Sequence, residues 1–314
     1  MGQVPVTTDV FQQSPLAQQP TRRWLAPLLF VVLALVWGSS FMLMKRGLVV
    51  FRPDQVAALR LSIAAGWLLP LVWRDRKRLP VVPWRLVLVA ALVGNLLPAF
   101  LFATAQTGVT SATAGALNAL SPVFTVLLGA LFWREPVPLL RALGIAVGLG
   151  GALALILARG DGGQQTDPRY ALLIVVSALS YAISTNLLRY PLRQMEPLHL
   201  SGLALGSVGV PCALWLALSG LGDTMQQPGA WQALGYVAVL GTFGTAMSLV
   251  LFTKLLHLVG SSAASVTYLI PGVALAWGVA DGESVVAQQL IGLVAILGGV
   301  WLANRPAATI LEAR

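Results

Sequence analysis

Long apolar segments separated by short polar ones dominate the pattern of this chain. Ten segments are mostly apolar over about 20 residues, the length that a helix needs to cross the hydrocarbon core of a bilayer. Those of the first half are residues 25–44, 54–73, 84–105, 112–133 and 139–158. Those of the second half are residues 170–189, 198–218, 231–252, 262–280 and 287–303. The pattern predicts an all-α membrane protein with ten transmembrane helices.

The two halves carry related sequences. Residues 114–122 (AGALNALSP) and residues 263–271 (AASVTYLIP) each end in a proline and lead into an apolar run. The two prolines lie 149 residues apart, and the glutamates Glu135 and Glu283 lie 148 residues apart. Self-similarity at one fixed period indicates a duplicated unit. Because each unit has five spans, an odd number, we expect the second to enter the membrane from the opposite side, as an inverted repeat.

The remaining segments divide the chain around these two units. Residues 1–23 are polar, and they lack the basic and apolar regions of a signal peptide, so we expect a disordered cytoplasmic tail. The first five-helix repeat is assigned to residues 24–158 and the second to residues 170–303. Residues 159–169 are the connecting loop, and residues 304–314 form a second cytoplasmic tail.

Composition and charge support a membrane protein. The chain is 57% hydrophobic and 10% charged, whereas soluble domains carry about 25% charged residues. With the N-terminus in the cytoplasm, the inside segments hold 14 Lys and Arg residues and the outside segments hold 5. This bias predicts that both termini are cytoplasmic, and it explains the net charge of +9 without a nucleic-acid partner. Cys212 is the only cysteine, which excludes an internal disulfide.

Two matched prolines indicate where a functional site lies. Pro122 and Pro271 fall near the middle of the fourth and ninth spans. A proline removes one backbone hydrogen bond and tends to kink a helix. Exposed carbonyls at membrane depth are tolerated only beside protein or a water-filled cavity. We therefore predict kinks with a gating role beside a central cavity, the alternative being that the prolines only shape helix packing.

Polar and aromatic side chains at membrane depth are the candidate lining of that cavity. Asparagines are costly to bury, whereas Ser and Thr often bond only their own helix. Aromatic rings could stack on a flat or cationic solute, or only pack. Arg60 is the one charge well inside a span; it could attract a substrate carboxylate or extend to the membrane surface. The predicted substrate-binding residues are Trp37, Ser40, Arg60, Asn95, Asn118, Ser121, Tyr181, Ser184, Thr245, Ser265 and Tyr268.

Other function classes find little support. No Asp or Glu lies in the middle of a span, which argues against a buried carboxylate relay for protons. The string GLGD at residues 220–223 matches a GxGD aspartyl-protease motif, but it falls in an outer loop without a second Asp inside a span. We therefore expect no catalysis, no metal and no cofactor. A channel is a rival interpretation, although no ring of charges or filter-like loop is present.

The repeat resembles the EamA family of the drug/metabolite transporter superfamily. The shared pattern is a small residue, a proline, an apolar run, a glutamate and a Gly-rich helix, found over residues 114–151 and again over 264–299. The sequence WGSSF at residues 37–41 is similar to the motif of that family's first span, and Arg60 is similar to an arginine of its second span. The resemblance covers residues 24–303.

This resemblance implies a ten-helix, pseudosymmetric transporter in a bacterial-type inner membrane, one branch of the family exporting aromatic amino acids and viologen-like cations. We therefore expect export of amino acids, aromatic ones included, and related metabolites by alternating access around a central cavity. Export of toxic organic cations or other metabolites is the alternative. The expected partners are a small-molecule substrate and the lipid bilayer, with no nucleic acid, and the protein is expected to be a monomer or a weak homodimer.

Overall fold

The chain folds into helices alone wherever its structure is described. The computed structural model describes residues 24–78, 82–135, 137–157, 167–283 and 287–303. These residues contain no strand, and eight of their helices are long and apolar enough to cross a membrane. Two further apolar helices, Val266–Ala280 and Gln289–Ala303, are shorter. The chain is thus an all-helical, multi-pass membrane protein. The predicted tails and most of the connection at 159–169 lie outside the described residues.

The first half contributes five candidate spans, two of which are interrupted. Its helices are α1 (Leu25–Leu48), α2 (Pro53–Arg74), α3 (Trp84–Ala91), α4 (Leu97–Ala105), α5 (Ser111–Asn118), α6 (Ser121–Trp133) and α7 (Leu139–Leu157). A π-helical segment, Leu92–Leu96, joins α3 to α4. A break at residues 119–120 separates α5 from α6 within the fourth span.

The second half has the same kinds of interruption. Its helices are α8 (Pro168–Arg189), α9 (Pro197–Leu218), α10 (Leu221–Thr224), α11 (Ala230–Gly241), α12 (Ser248–Val259), α13 (Ile270–Ala280) and α14 (Ala287–Ala303). A π-helical segment, Thr242–Met247, joins α11 to α12. A 3-10 helix, Gly260–Tyr268, precedes α13, so the segment 262–280 is not one continuous α-helix.

Both prolines lie at helix starts rather than inside continuous helices. Pro122 falls in the first turn of α6, and Pro271 falls in the first turn of α13. A first-turn position suits proline because the N–H that it lacks would have no partner within the helix. The α-helix is thus interrupted just before each proline, and the fourth and ninth spans are each made of two shorter pieces.

The two π segments allow the halves to approach closely. Gly94 lies in the first segment, and a Cβ added there would be 2.2 Å from Oγ of Ser184. Gly244 lies in the second segment, and a Cβ added there would be 2.7 Å from Oγ of Ser40. In each case the side chain of a serine from one half occupies the space beside a glycine of the other half. The two contacts place the π segments at the interface between the halves.

Helices α7 and α14 form a pair held by small residues. A Cβ on Gly144 would lie 2.4 Å from the backbone nitrogen of Ala303, and one on Gly299 would lie 2.2 Å from that of Gly148. Their backbones are therefore in direct contact, as small-xxx-small spacing permits. The opposite faces of the pair are apolar and exposed, for example at Leu153, as expected of a lipid-facing surface.

Candidate functional site

A cavity of about 150 Å³ lies at the interface of the two halves. Its wall is built from α1, α2, α4, α5, α6, α8, α12, α13, the 3-10 helix and both π segments, whereas α7, α9 and α14 contribute no residue. The first, third, fourth, sixth, eighth and ninth spans are those whose polar residues were expected to line a cavity. The second span contributes the predicted Arg60 and also Leu61, which was not predicted.

Nine of the eleven predicted substrate-binding residues line this one cavity. They are Trp37, Ser40, Arg60, Asn95, Asn118, Ser121, Tyr181, Ser184 and Thr245. Tyr268 is not among the lining residues, because its ring turns toward α14 and its hydroxyl donates to the carbonyl of Val300 at 2.7 Å. The side chain of Ser265 lies outside the described part of the structure. Of the two prolines, Pro122 lines the cavity and Pro271 does not.

The two helices that face each other across the cavity present matched faces. Their lining residues follow the spacing i, i+3, i+4 and i+7, which marks one side of a helix. On α1 these are Trp37, Ser40, Phe41 and Met44, and on α8 they are Tyr181, Ser184, Thr185 and Leu188. The four pairs share one offset of 144 residues. The sequence prediction missed the apolar members of this face, although their helical spacing was a usable signal.

Among the described residues of the cavity wall, Arg60 alone is charged. Its Nε donates to Oγ1 of Thr245 at 2.8 Å, and the phenol of Tyr181 lies beside its guanidinium. Thr245 in turn donates to the carbonyl of Leu240 at 3.1 Å, a bond to the fifth preceding residue that the π segment makes possible. These contacts fix the arginine head at the cavity. No Asp or Glu is among the lining residues, so the positive charge has no acidic partner there.

Aromatic rings form much of the remaining wall. Phe102 lies between two rings, with centroid distances of 5.8 Å to Phe41 and 6.1 Å to Tyr181. Trp37 packs on Phe252 with centroids 5.2 Å apart, and its indole nitrogen donates to Ser248 at 3.0 Å. Rings at these separations attract one another and offer flat apolar surface to a solute. Phe102 and Phe252 were not predicted either, because a phenylalanine in an apolar span is equally favourable against lipid.

The break in the fourth span presents polar atoms to the cavity. Asn118 ends α5, and its Oδ1 is buried without a hydrogen-bond partner. Ser121 begins α6, and its hydroxyl donates to the carbonyl of Asn118 at 2.8 Å. A buried acceptor without a donor is unfavourable unless a water or ligand supplies one. Asn118 therefore lines the cavity with an amide whose buried oxygen has no protein donor.

The described residues contain no group of three His, Cys, Asp or Glu side chains arranged to hold a metal ion. The donor set of the cavity is instead one guanidinium with hydroxyl and amide groups. Such a set suits a polar organic solute held by hydrogen bonds and one charge contact.

The chain is similar to known membrane transporters over nearly its whole length. The profile described as the EamA-like transporter family matches residues 24–157 and again residues 168–305. The uncharacterized inner membrane transporter YedA of Escherichia coli K12 is 28% identical over 291 residues, which cover 89% of this chain and 91% of YedA. The uncharacterized transporter YvbV of Bacillus subtilis is 29% identical over 287 residues, covering 88% and 90% of the two chains.

Two proteins of lower sequence identity are also similar to this chain over nearly its whole length. An uncharacterized transporter of Archaeoglobus fulgidus is 25% identical over 288 residues, covering 88% of this chain and 98% of that protein. A solved crystal structure of a protein superimposes with a TM-score of 0.60 at 20% sequence identity, over 90% of this chain and 97% of the other. At that identity the structural likeness shows a shared fold and nothing about the solute.

Proposed function

The chain belongs to the EamA-like transporter family, and from that premise we propose that it is a carrier that exports amino acids, aromatic ones included, and related small metabolites. The transported molecule binds in the central cavity, between the two halves. Alternating access then exposes this one site first to one side of the membrane and then to the other.

The observation that carries this proposal is the placement of Arg60. A guanidinium on the wall of a cavity inside the membrane is costly unless an opposite charge approaches it. Its Nε donates to Thr245 and the phenol of Tyr181 lies beside it, and the two terminal nitrogens of a guanidinium match the two oxygens of a carboxylate. An amino acid supplies that carboxylate, whereas an organic cation would be repelled.

The rest of the cavity fits the other parts of an amino acid. Asn118 lines the cavity, and a rotation of its side chain would turn the unpaired Oδ1 to accept an N–H of an ammonium group. The rings of Phe41, Phe102 and Tyr181 provide an apolar surface for a side chain. In another protein a cavity of about 150 Å³ accepts a benzene ring, so the space suits a small solute.

The proposal includes a definite topology. Ten spans form two inverted five-helix repeats, as in the drug/metabolite transporter fold, and this count includes the two shorter apolar helices of the second half. The charge bias of the loops supports cytoplasmic termini. The name of YedA supports an inner-membrane location. The glycine contacts between α7 and α14 lie within one chain, which supports a monomer or a weak homodimer.

Counterflow in liposomes tests this function. Purified protein is reconstituted, the vesicles are loaded with unlabelled solute, and uptake of a labelled solute is followed for a panel of amino acids. Tryptamine serves as the matched control for tryptophan, because it keeps the ring and the amine but lacks the carboxylate. We expect trans-stimulated, saturable uptake of tryptophan or another amino acid and none of tryptamine.

Two other outcomes contradict the proposal. Counterflow of tryptamine or methyl viologen without counterflow of any amino acid would favour the exporter of organic cations, which the aromatic lining could also serve. Flux that does not saturate and is not stimulated by solute on the opposite side would favour a channel.

A further inference from the structure

Two glutamates outside the cavity make equivalent contacts at the two ends of the fourth span. Glu283 touches the start of that span, since its carboxylate accepts the backbone N–H of Ser111 at 2.9 and 3.0 Å. Glu135 follows the other end of the span, directly after Arg134. The span Ser111–Trp133 contains 23 residues, about 34 Å of helix. The two carboxylates therefore lie at opposite faces of the membrane.

The contacts of Glu283 join the two halves of the chain. Its Oε1 accepts from Nζ of Lys45 at 2.5 Å, and its side chain is 7% exposed. Lys45 belongs to the last turn of α1 in the first half, as Ser111 belongs to α5. A second ion pair between the halves, from Arg46 to Asp281, lies beside it. These two ion pairs thus hold the two halves together at this end of the interface.

The contacts of Glu135 also join the two halves, at the opposite end. Its Oε1 accepts from Arg189 at 3.0 Å and from the hydroxyl of Tyr190, both at the end of α8. Burial and the bond to Glu135 raise the pKa of Tyr190 to about 12, so the phenol keeps its proton and remains a donor. The ring of Tyr190 stacks on Trp133 with centroids 4.7 Å apart.

These two clusters are the same arrangement in the two repeats. Arg189 follows Lys45 at the offset of 144 residues that relates the cavity faces of α8 and α1. Glu283 follows Glu135 at the offset of 148 residues that relates their spans. Tyr190 follows Arg46 by 144 residues, and Asp281 follows Trp133 by 148 residues. The stack of Trp133 on Tyr190 in one cluster therefore takes the position of the Arg46–Asp281 ion pair in the other.

The backbone around each glutamate is also matched. The residue before Glu135 is Arg134, with φ of 54°, and the residue before Glu283 is Gly282, with φ of 80°. This left-handed turn folds each glutamate back over the end of its own helix. A Cβ on Gly129 would lie 3.0 Å from Oε2 of Glu135, and one on Gly278 would lie 2.5 Å from Oε2 of Glu283. Both carboxylates use the space that a glycine leaves.

We propose that Glu135 and Glu283 are the gate residues of the carrier, each closing one face by its ion pair with the opposite half. The cavity lies between them along the fourth span, and a solute leaves it where one pair parts. Because the two clusters share one geometry, the protein opens either face by breaking one cluster while the other holds. This inference rests on the proposed carrier function, and it names the residues that perform the alternation.

Side-specific labelling of a cavity cysteine tests the gates without any substrate. Thr185→Cys in a Cys212→Ala background places one thiol on the cavity wall. A membrane-impermeant maleimide is added to one or the other face of oriented vesicles. We expect Glu283→Gln to raise the labelling rate from one face by about tenfold, the shift expected when a charged hydrogen bond is lost from a two-state equilibrium. Glu135→Gln should do the same from the opposite face.

Three controls keep this test decisive. Lys45→Met should reproduce the effect of Glu283→Gln, and the double variant should not exceed either single one, since both break one interaction. Arg189→Met should reproduce the effect of Glu135→Gln. Asp167→Asn breaks an exposed ion pair, with Arg169, that lies within one half, and it should leave labelling unchanged from both faces. All variants must elute as monodisperse protein.

Unchanged labelling in both glutamine variants, or an increase from the same face in both, would overturn the gate assignment. A side-specific response without amino-acid counterflow would uphold the gates and contradict the proposed solute. Amino-acid counterflow together with a labelling rate that neither Glu135→Gln nor Glu283→Gln changes would uphold the proposed solute and contradict the gate assignment.

Discussion

Arg60 gives the cavity its chemical character at the scale of single residues. It lies two turns into α2, beside Tyr181 and bonded to Thr245, at a site with no acidic lining residue. A fixed cation in a low-dielectric cavity attracts an anion more strongly than it would in water. The arginine therefore selects for a carboxylate. The surrounding aromatic rings favour an apolar or aromatic side chain on the same solute.

Replacing Arg60 tests this selection. Arg60→Gln should lower amino-acid counterflow by about 30-fold or more, because losing one partner of a desolvated charge pair costs at least ~2 kcal/mol. Arg60→Lys should fall between this variant and the wild type, since an ammonium keeps the charge but not the bidentate fork. Ser62→Ala is the matched control on the same helix, outside the cavity lining. Equal counterflow in Arg60→Gln and the wild type would remove the arginine from the site.

The sequence predicted polar lining residues better than apolar ones. An arginine or asparagine inside an apolar span is conspicuous, and Arg60, Asn95 and Asn118 all reach the cavity. A phenylalanine such as Phe102 is not conspicuous, because the same residue is favourable against lipid. Tyr268, at the end of a 3-10 helix, is not among the described lining residues, and its hydroxyl donates to the carbonyl of Val300.

Interrupted and continuous helices share the site at the scale of elements. The spans that carry the π segments and the breaks before the prolines all line the cavity, together with the continuous helices α1, α2 and α8. Prolines marked two of the four interruptions in advance. The π segments had no comparable signal, because they depend on the close contacts of Gly94 and Gly244 with serines that are distant in sequence.

The pairing of α7 and α14 offers a stability test at this scale. Gly144→Ala should lower the free energy of unfolding by about 1–3 kcal/mol, since its Cβ would meet the backbone of Ala303 at 2.4 Å. Gly150→Ala is the matched control on the same helix, because no atom lies within 4 Å of a Cβ there. It should leave stability unchanged or raise it by about 0.5–1 kcal/mol. The melting temperature in detergent measures both, and equal melting temperatures would contradict the close packing.

The whole molecule is organised by its internal repeat. The π-segment glycines Gly94 and Gly244 lie 150 residues apart, close to the period of the prolines and glutamates, whereas the ion-pair cations Lys45 and Arg189 lie 144 apart. The sequence alone could not show which residues oppose each other across the interface. The sequence shows Glu135 and Glu283 as equivalent residues of the repeat, but it does not show that they pair with Arg189 and Lys45. Pairing between halves depends on how the halves pack, which no local pattern encodes.

Substrate-protected modification of Thr185→Cys in the Cys212→Ala background tests most directly that the central cavity is the transport route. Thr185 lines the cavity, and Gly222→Cys on the exposed α10 is the matched control. A small thiol reagent should abolish counterflow in Thr185→Cys, excess transported amino acid should slow this inactivation, and Gly222→Cys should be unaffected. Full counterflow after complete modification of Thr185→Cys would contradict the account.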